Sequence, residues 1–152
     1  MQANIQATQR SGGLEYKWIL ALVVVLGVFM SILDTTIVNI ALPRLETAFG
    51  AGVDSVQWVL TGYTLAQGVA VPLVAYLTDS FGIKRLYMFS LAAFTIGSAL
   101  CGLAWSLPLL IVFRILQGLG GAALFPLSLT LLFGAFPPQE RGAAMGVFGV
   151  PA

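Results

Sequence analysis

Long apolar runs without charge are the feature that most limits how this chain can fold. The sixteen residues from Trp18 to Leu33 carry no charged side chain. Only 9% of all residues are charged, whereas a soluble domain averages about 25%. So little charge cannot cover a surface exposed to water. We therefore expect an integral membrane protein whose main partner is the lipid bilayer.

The lengths of the apolar runs predict the fold class. A helix needs about 20 mostly apolar residues to cross a bilayer. Four segments meet this length, and a fifth begins near Gly142. The expected fold is all-α and polytopic, a helical bundle of four spans and the start of a fifth. The predicted spans are 18–42, 55–77, 86–104, 108–136 and 142–152, the last of them truncated.

The two ends of the chain carry further predictions. Residues 1–17 are polar and are expected to form a disordered cytoplasmic tail, which leaves residues 18–152 as a partial transmembrane domain. About eleven residues after Gly142 cannot cross ~30 Å of hydrocarbon. We expect a fragment that packs with the remaining spans of the same longer chain. The alternative is a complete four-span protein with an interfacial tail.

Basic residues in the loops predict the orientation, because cytoplasmic loops are enriched in Lys and Arg. The tail and loops on the N-terminal side of the membrane carry five basic residues, and the loops on the opposite side carry only Arg44. The five are Arg10, Lys17, Lys84, Arg85 and Arg141. The N-terminus is therefore expected in the cytoplasm, with the chain in the plasma membrane, which in a bacterium is the inner membrane.

Composition also excludes several classes of function. The net charge is +1, so nothing indicates a nucleic-acid partner. There is no histidine and only one cysteine, Cys101, which rules out Ser–His and Cys–His nucleophiles and leaves few metal ligands. No phosphate-binding loop of the P-loop type is present. We expect no enzyme, no metal and no cofactor, with an ion gradient as the energy source of any pump.

Asp34 is a carboxylate in the outer half of the first span, where a charged side chain costs free energy. Acids inside membrane spans usually face a protein interior or a water-filled cavity, and they often mark an ion or substrate path. Burial disfavours the charged form of a carboxyl group, so reversible protonation near neutral pH becomes feasible. Asp34 is therefore the first candidate for binding a proton or a cation.

Arg114 is the second charge inside a span. It lies six residues, or ~9 Å, from the outer end of span 4, and Asp34 lies eight residues, or ~12 Å, from the outer end of span 1. Because spans 1 and 4 run antiparallel, the two side chains are expected at similar depth and can pair if the helices are neighbours. Alternatively, the Arg114 side chain reaches outward to the membrane surface.

Smaller features predict how the spans pack. Ser31, Thr35 and Asn39 follow each other at four-residue spacing beside Asp34, so one face of span 1 is polar and cannot face lipid. The alternative role for this face is a seam of interhelical hydrogen bonds. Small residues at four-residue spacing predict close helix approach. The pairs are Gly97 and Cys101, Ser98 and Gly102, Gly118 and Ala122, and Gly142 and Gly146. Pro72 and Pro126 are expected to kink their spans.

Three motifs occur in order: Leu33-Asp-Thr-Thr-Ile-Val-Asn-Ile-Ala-Leu-Pro43 in span 1, Asp79-Ser-Phe-Gly-Ile-Lys-Arg85 after span 2, and Arg114-Ile-Leu-Gln-Gly118 in span 4. Together they resemble the major facilitator superfamily, in particular its drug:proton antiporter branch with fourteen spans. The resemblance implies that spans 1 and 4 line a central cavity and that Asp34 and Arg114 take part in proton coupling. It also places Ser31, Thr35, Asn39 and Gln117 in a substrate cavity.

The loop between spans 2 and 3 resembles the family's loop motif less completely. Asp79, Gly82, Lys84 and Arg85 match it, whereas Ser80 and Ile83 replace two basic positions. The resemblance implies a latch between conformational states. The alternatives are that the two basic residues only set topology and that Asp79 caps the following turn.

These observations lead to one functional hypothesis with three alternatives. The favoured hypothesis is a secondary active transporter that exports lipophilic or amphipathic drugs or toxic compounds in exchange for protons, by alternating access. Such multidrug efflux confers antibiotic resistance. The alternatives are a proton-linked transporter of a narrow metabolite, a small four-span exporter acting as a dimer, and a non-transporting membrane subunit.

Overall fold

The computed structural model describes residues 2–149, with side chains for 16–142, 145, 146 and 149. All regular secondary structure in this part of the chain is helical, which confirms the all-α fold class. The helices are α1 (Gln2–Phe49), α2 (Val53–Phe81), α3 (Ile83–Gly102), α4 (Leu107–Gly121), α5 (Leu124–Ala135) and α6 (Arg141–Gly149).

Four helical stretches are long and apolar enough to cross a membrane. They are Tyr16–Phe49, Val53–Phe81, Ile83–Gly102 and Leu107–Ala135, the last of them formed by α4 and α5 together. The chain is therefore an integral membrane protein with the predicted number of full spans. Residues 150–152 of the predicted fifth span lie outside the described residues.

Helix α1 is longer than the predicted first span at both ends. It includes residues 2–17, which we expected to form a disordered tail. Once a helix is nucleated, each added residue gains a hydrogen bond without a new nucleation cost. The predicted helix end at Pro43 is wrong, since α1 continues through it to Phe49. A proline removes one backbone donor, and near the membrane surface water can satisfy the carbonyl that loses it.

The fourth span is broken rather than continuous. Helix α4 ends at Gly121 and α5 begins at Leu124. The expected kink at Pro126 therefore appears as a break within the preceding turn, because Pro126 has no N–H to donate to the carbonyl of Ala122. Helix α2, by contrast, continues without a break through Pro72.

Helix α4 lies at the centre of the bundle and packs against α2 and α3, while α1 packs mainly against α5. Glycines permit the close approach. A Cβ at Gly118 would lie 2.5 Å from the Tyr63 carbonyl oxygen, and one at Gly97 would lie 2.8 Å from the Gln117 Cα. The predicted close packing is thus confirmed at these two glycines. Gly102, Gly142 and Gly146 have no such neighbour among the described residues.

Candidate functional site

Asp34 and Arg114 form a buried ion pair between α1 and α4. The Arg114 Nη1 donates a hydrogen bond to the Asp34 Oδ2 at 2.6 Å. Each side chain is only 10% exposed. The pairing predicted from the matched depths is confirmed. The alternative in which Arg114 reaches outward to the membrane surface is wrong, because its guanidinium turns into the bundle.

Gln117 binds the other oxygen of the same carboxylate. It lies one turn after Arg114 on α4, so both side chains project from one face of the helix. The Gln117 Nε2 donates to the Asp34 Oδ1 at 3.0 Å, and the residue is completely buried. Both oxygens of Asp34 therefore accept a hydrogen bond from α4.

Cys101 on α3 extends this chain of contacts. Its Sγ donates to the Gln117 Oε1 at 3.5 Å, which is long but within reach for sulfur. Cys101 was expected only as a small packed side chain, and sequence reasoning did not place it at the site. The four-residue spacing from Gly97 to Cys101 was the available signal, because it puts the thiol on the face of α3 that approaches α4.

Tyr63 on α2 brings a second group of polar side chains to the site. The Gln67 Nε2 donates to the Tyr63 hydroxyl at 2.8 Å. Ser31, Thr35 and Asp34 of α1 lie close enough to the same hydroxyl to interact with it electrostatically. Tyr63 is buried. The sequence analysis did not assign Tyr63 or Gln67 to the site.

The polar residues at four-residue spacing on α1, which are Ser31, Thr35 and Asn39, lie in two different surroundings. Ser31 and Thr35 lie near the Tyr63 hydroxyl of α2, whereas the seam of interhelical hydrogen bonds stays a prediction. The Thr35 Oγ1 also donates to the Ser31 carbonyl at 2.9 Å. Asn39 is exposed, and its Nδ2 donates to the Thr35 carbonyl at 3.0 Å within the same helix. Asn39 is therefore not brought to Asp34 by this fold.

A cavity of about 370 Å³ adjoins the ion pair on the side of the loop between α1 and α2. Asp34 and Arg114 lie at its polar end, and Leu45 and Phe49 line the end toward that loop. Pockets for small molecules are typically mostly apolar with a few polar groups that orient the ligand. This cavity has that composition, and Cys101 also lines it.

The energetics of the pair indicate a role other than stability. Taking two charges out of water costs several kcal/mol per ion, and their attraction recovers this only when geometry and further hydrogen bonds are good. The carboxylate of Asp34 is fully satisfied, whereas the Arg114 Nε has no hydrogen-bond partner among the described residues. A pair of apolar residues would fill the same space at lower cost, so the charges fit a site that changes state.

Sequence comparison gives the family. The profile of the Major Facilitator Superfamily matches residues 24–152. The chain belongs to this superfamily. Because its members are transporters, the expectation that this chain is not an enzyme is confirmed.

Several characterised and uncharacterised transporters are similar to this member of the Major Facilitator Superfamily. The uncharacterized MFS-type transporter YhcA of Bacillus subtilis is 38% identical over 95% of the chain and 27% of its own length. Multidrug resistance protein 3 of the same organism is 43% identical over 82% of the chain and 24% of its length. Multidrug export protein EmrB of Haemophilus influenzae is 37% identical over 87% of the chain and 26% of its own length. The chain thus spans about a quarter of the length of these relatives.

The superfamily's loop motif lies apart from the buried pair, at the junction of α2 and α3. Gly82 has a φ of +81°, and its N–H donates to the Thr78 carbonyl at 2.9 Å. Gly82 also precedes α3 without any side-chain cap, so the alternative in which Asp79 caps the following turn is wrong. Asp79, Lys84 and Arg85 are exposed. The Lys84 Nζ lies 4.9 Å from the centre of the Tyr16 ring.

Proposed function

We propose that this chain forms part of a transporter that exports lipophilic or amphipathic compounds in exchange for protons. The observation that carries the proposal is the carboxylate of Asp34, which is buried in a membrane span and bonded by Arg114 and Gln117. A carboxylate in such a place is a proton site whose charge state changes its contacts. The names of two relatives, a multidrug resistance protein and a multidrug export protein, support lipophilic or amphipathic drugs as the substrate class.

The proposed coupling step follows from the charges. While Asp34 is ionised, it neutralises Arg114 and ties α1 to α4. A proton on Asp34 removes the negative charge and weakens the hydrogen bond from the guanidinium, since hydrogen bonds to ionised groups are the strong ones. Arg114 is then a buried cation without a counter-charge. The helices relieve this cost by moving, which biases the transporter toward one side of the membrane.

The remaining assignments belong to the same proposal. We place the protein in the cytoplasmic membrane with its N-terminus inside, on the strength of five loop cations against one. A proton gradient supplies the energy without a resident cofactor. The substrate passes beside Ser31, Thr35, Asn39 and Gln117, in a cavity completed by further spans of the full-length protein.

The loop between α2 and α3 has its own role in this proposal. Asp79, Gly82, Lys84 and Arg85 act as a latch that holds one conformational state. Their exposure leaves Asp79, Lys84 and Arg85 free to make contacts outside the described residues. The positive φ of Gly82 sets the sharp turn that presents them.

The decisive experiment replaces Asp34 by asparagine in the full-length protein that carries this chain. Asp34→Asn keeps the shape and resembles the protonated acid in having one acceptor and one donor, but it cannot exchange a proton. We expect loss of efflux driven by an imposed pH gradient in proteoliposomes. The matched control is Asp54→Asn, which makes the same chemical change at an exposed residue. Efflux by Asp34→Asn with unchanged rate and pH dependence would refute the proposal.

A further inference from the structure

The contacts around Asp34 contain a geometric problem for protonation. Its Oδ2 faces the guanidinium of Arg114 and its Oδ1 faces the amide nitrogen of Gln117. Both neighbours present donors, so neither can accept the hydrogen bond of a newly formed O–H. A guanidinium has no acceptor atom in any orientation. An amide has one, because its carbonyl oxygen and its nitrogen exchange places when the group turns by 180°.

We propose that the Gln117 amide turns over when Asp34 takes up its proton, and that the Cys101 thiol is the positioning group that stabilises both orientations. With Asp34 ionised, Gln117 Nε2–H donates to Oδ1 and Cys101 S–H donates to Oε1, as in the structure. With Asp34 protonated, the new Oδ1–H donates to Oε1, and Nε2–H donates to the Cys101 sulfur. The proton comes from a hydronium ion of the aqueous phase, whose O–H bond breaks as the Asp34 O–H bond forms, and no other covalent bond changes. This inference rests on the proposed proton coupling.

Packing restricts Gln117 to this movement. The residue is fully buried, and its backbone is pressed against α3 at Gly97. A Cβ at Gly97 would lie 2.8 Å from the Gln117 Cα and 3.1 Å from its Cγ. The side chain therefore has no room to swing away. A half turn about its last bond exchanges two groups of nearly equal size and needs no extra volume.

The chemistry of sulfur suits the position on α3. A thiol is both a weak donor and a weak acceptor, so Cys101 can pair with either end of the amide. Because both bonds are weak, neither orientation of Gln117 is strongly favoured by Cys101 alone. The charge state of Asp34 then decides the orientation. Within the described residues, the charged or titratable groups near Asp34 are Arg114 of α4, the Tyr63 hydroxyl of α2 and the Cys101 thiol of α3.

Infrared spectroscopy tests the turnover directly. The experiment uses the full-length protein with every cysteine other than Cys101 replaced, reconstituted in lipid. The pH is lowered stepwise while the S–H stretching band of Cys101 and the carboxylic C=O band of Asp34 are recorded. We expect the S–H band to shift to higher frequency on acidification, with the same midpoint as the carboxylic band, because the thiol stops donating to an oxygen. Asp34→Asn should lose the shift.

A matched control places the thiol elsewhere on the same helix. The Thr95 hydroxyl donates to the Leu91 carbonyl at 2.8 Å, away from Gln117. In the double variant Cys101→Ala, Thr95→Cys, the thiol donates to that backbone oxygen, and its band should not respond to pH. A response there equal to that of Cys101 would overturn the assignment.

The outcomes separate this inference from the proposed function. Coincident shifts of the two bands support both. A carboxylic band that titrates while the S–H band of Cys101 stays fixed overturns the amide turnover and leaves proton coupling intact. A carboxylic band that never appears, with transport still driven by the pH gradient, overturns the proposed role of Asp34 and the turnover with it.

Discussion

Two regions of this chain hold charged side chains in contrasting surroundings. Around Asp34 they are buried, and each oxygen of the carboxylate has a named donor. At the junction of α2 and α3 they are exposed, and the contact resolved there is that of Lys84 with the Tyr16 ring. The first region is specified by its own helices. The second presents charges to whatever lies beyond the described residues.

The difference shows where a substitution should be costly. Removing one partner of a buried ion pair leaves an uncompensated charge and costs ~3–5 kcal/mol, whereas exposed charges typically contribute under ~1 kcal/mol. Stability should therefore respond strongly to changes around Asp34 and weakly to changes in the loop. If the loop is a latch, its substitutions should instead act on transport.

The largest effect is expected from Arg114→Leu. This change leaves the Asp34 carboxylate buried with one of its two donors missing. We expect the free energy of unfolding to fall by about 3–5 kcal/mol at neutral pH. Thermal unfolding of the purified full-length protein measures it.

The control for Arg114→Leu is the double variant Asp34→Leu, Arg114→Leu. Replacing a whole buried pair by apolar residues is often neutral or stabilising, so the double variant should be more stable than the single one. A double variant that is no more stable than Arg114→Leu would mean that the loss does not come from the unpaired charge, and the contrast between the two regions would fail.

Residue spacing alone could predict that Asp34 and Arg114 lie at similar depth, but not that their helices are neighbours. The rise per residue of a helix and the antiparallel course of successive spans fix the depth of Asp34 and Arg114, so the match required only counting. The number of spans followed in the same way from the apolar runs. Both predictions rest on distances along the helix axis, which sequence gives directly.

Spacing could not predict which side chains complete the site. Tyr63 reaches the site because α2 is rotated so that this residue faces α1 and α4, and rotation depends on packing with several neighbours. The break between Gly121 and Leu124 likewise precedes the proline that causes it. Pro43, however, does not end α1. The consequence of a proline depends on whether its surroundings satisfy the freed carbonyl.

A smaller effect is expected where α3 meets α4. A methyl group at Gly97 would lie 2.8 Å from the Gln117 Cα, so Gly97→Ala must push the two helices apart. Overpacking of this kind typically costs about 1–3 kcal/mol. We also expect slower proton-driven transport, because separating α3 from α4 disturbs the hydrogen bonds of Gln117 with Cys101 and Asp34. Unfolding and transport assays on the same preparation measure both.

Gly102→Ala is the matched control on the same helix. No atom of the described residues lies within 4 Å of a Cβ built there. It should therefore leave the contact between α3 and α4, and the stability that depends on it, unchanged. Equal losses in Gly97→Ala and Gly102→Ala would show that the close contact with Gln117 is not what makes Gly97 important.

The smallest effect on stability is expected at the loop, from Lys84→Ala. This change removes the ammonium group above the Tyr16 ring, and a cation–π contact at an exposed site contributes only about 0.5–1 kcal/mol. A double-mutant cycle with Tyr16→Leu, followed by thermal unfolding, should give a coupling energy within that range. Transport should fall more than stability does if the loop is a latch. A coupling energy between Lys84 and Tyr16 as large as that of the Asp34–Arg114 pair would contradict the contrast between the two regions. It would mean that the described helices stabilise the loop charges as strongly as they stabilise Asp34.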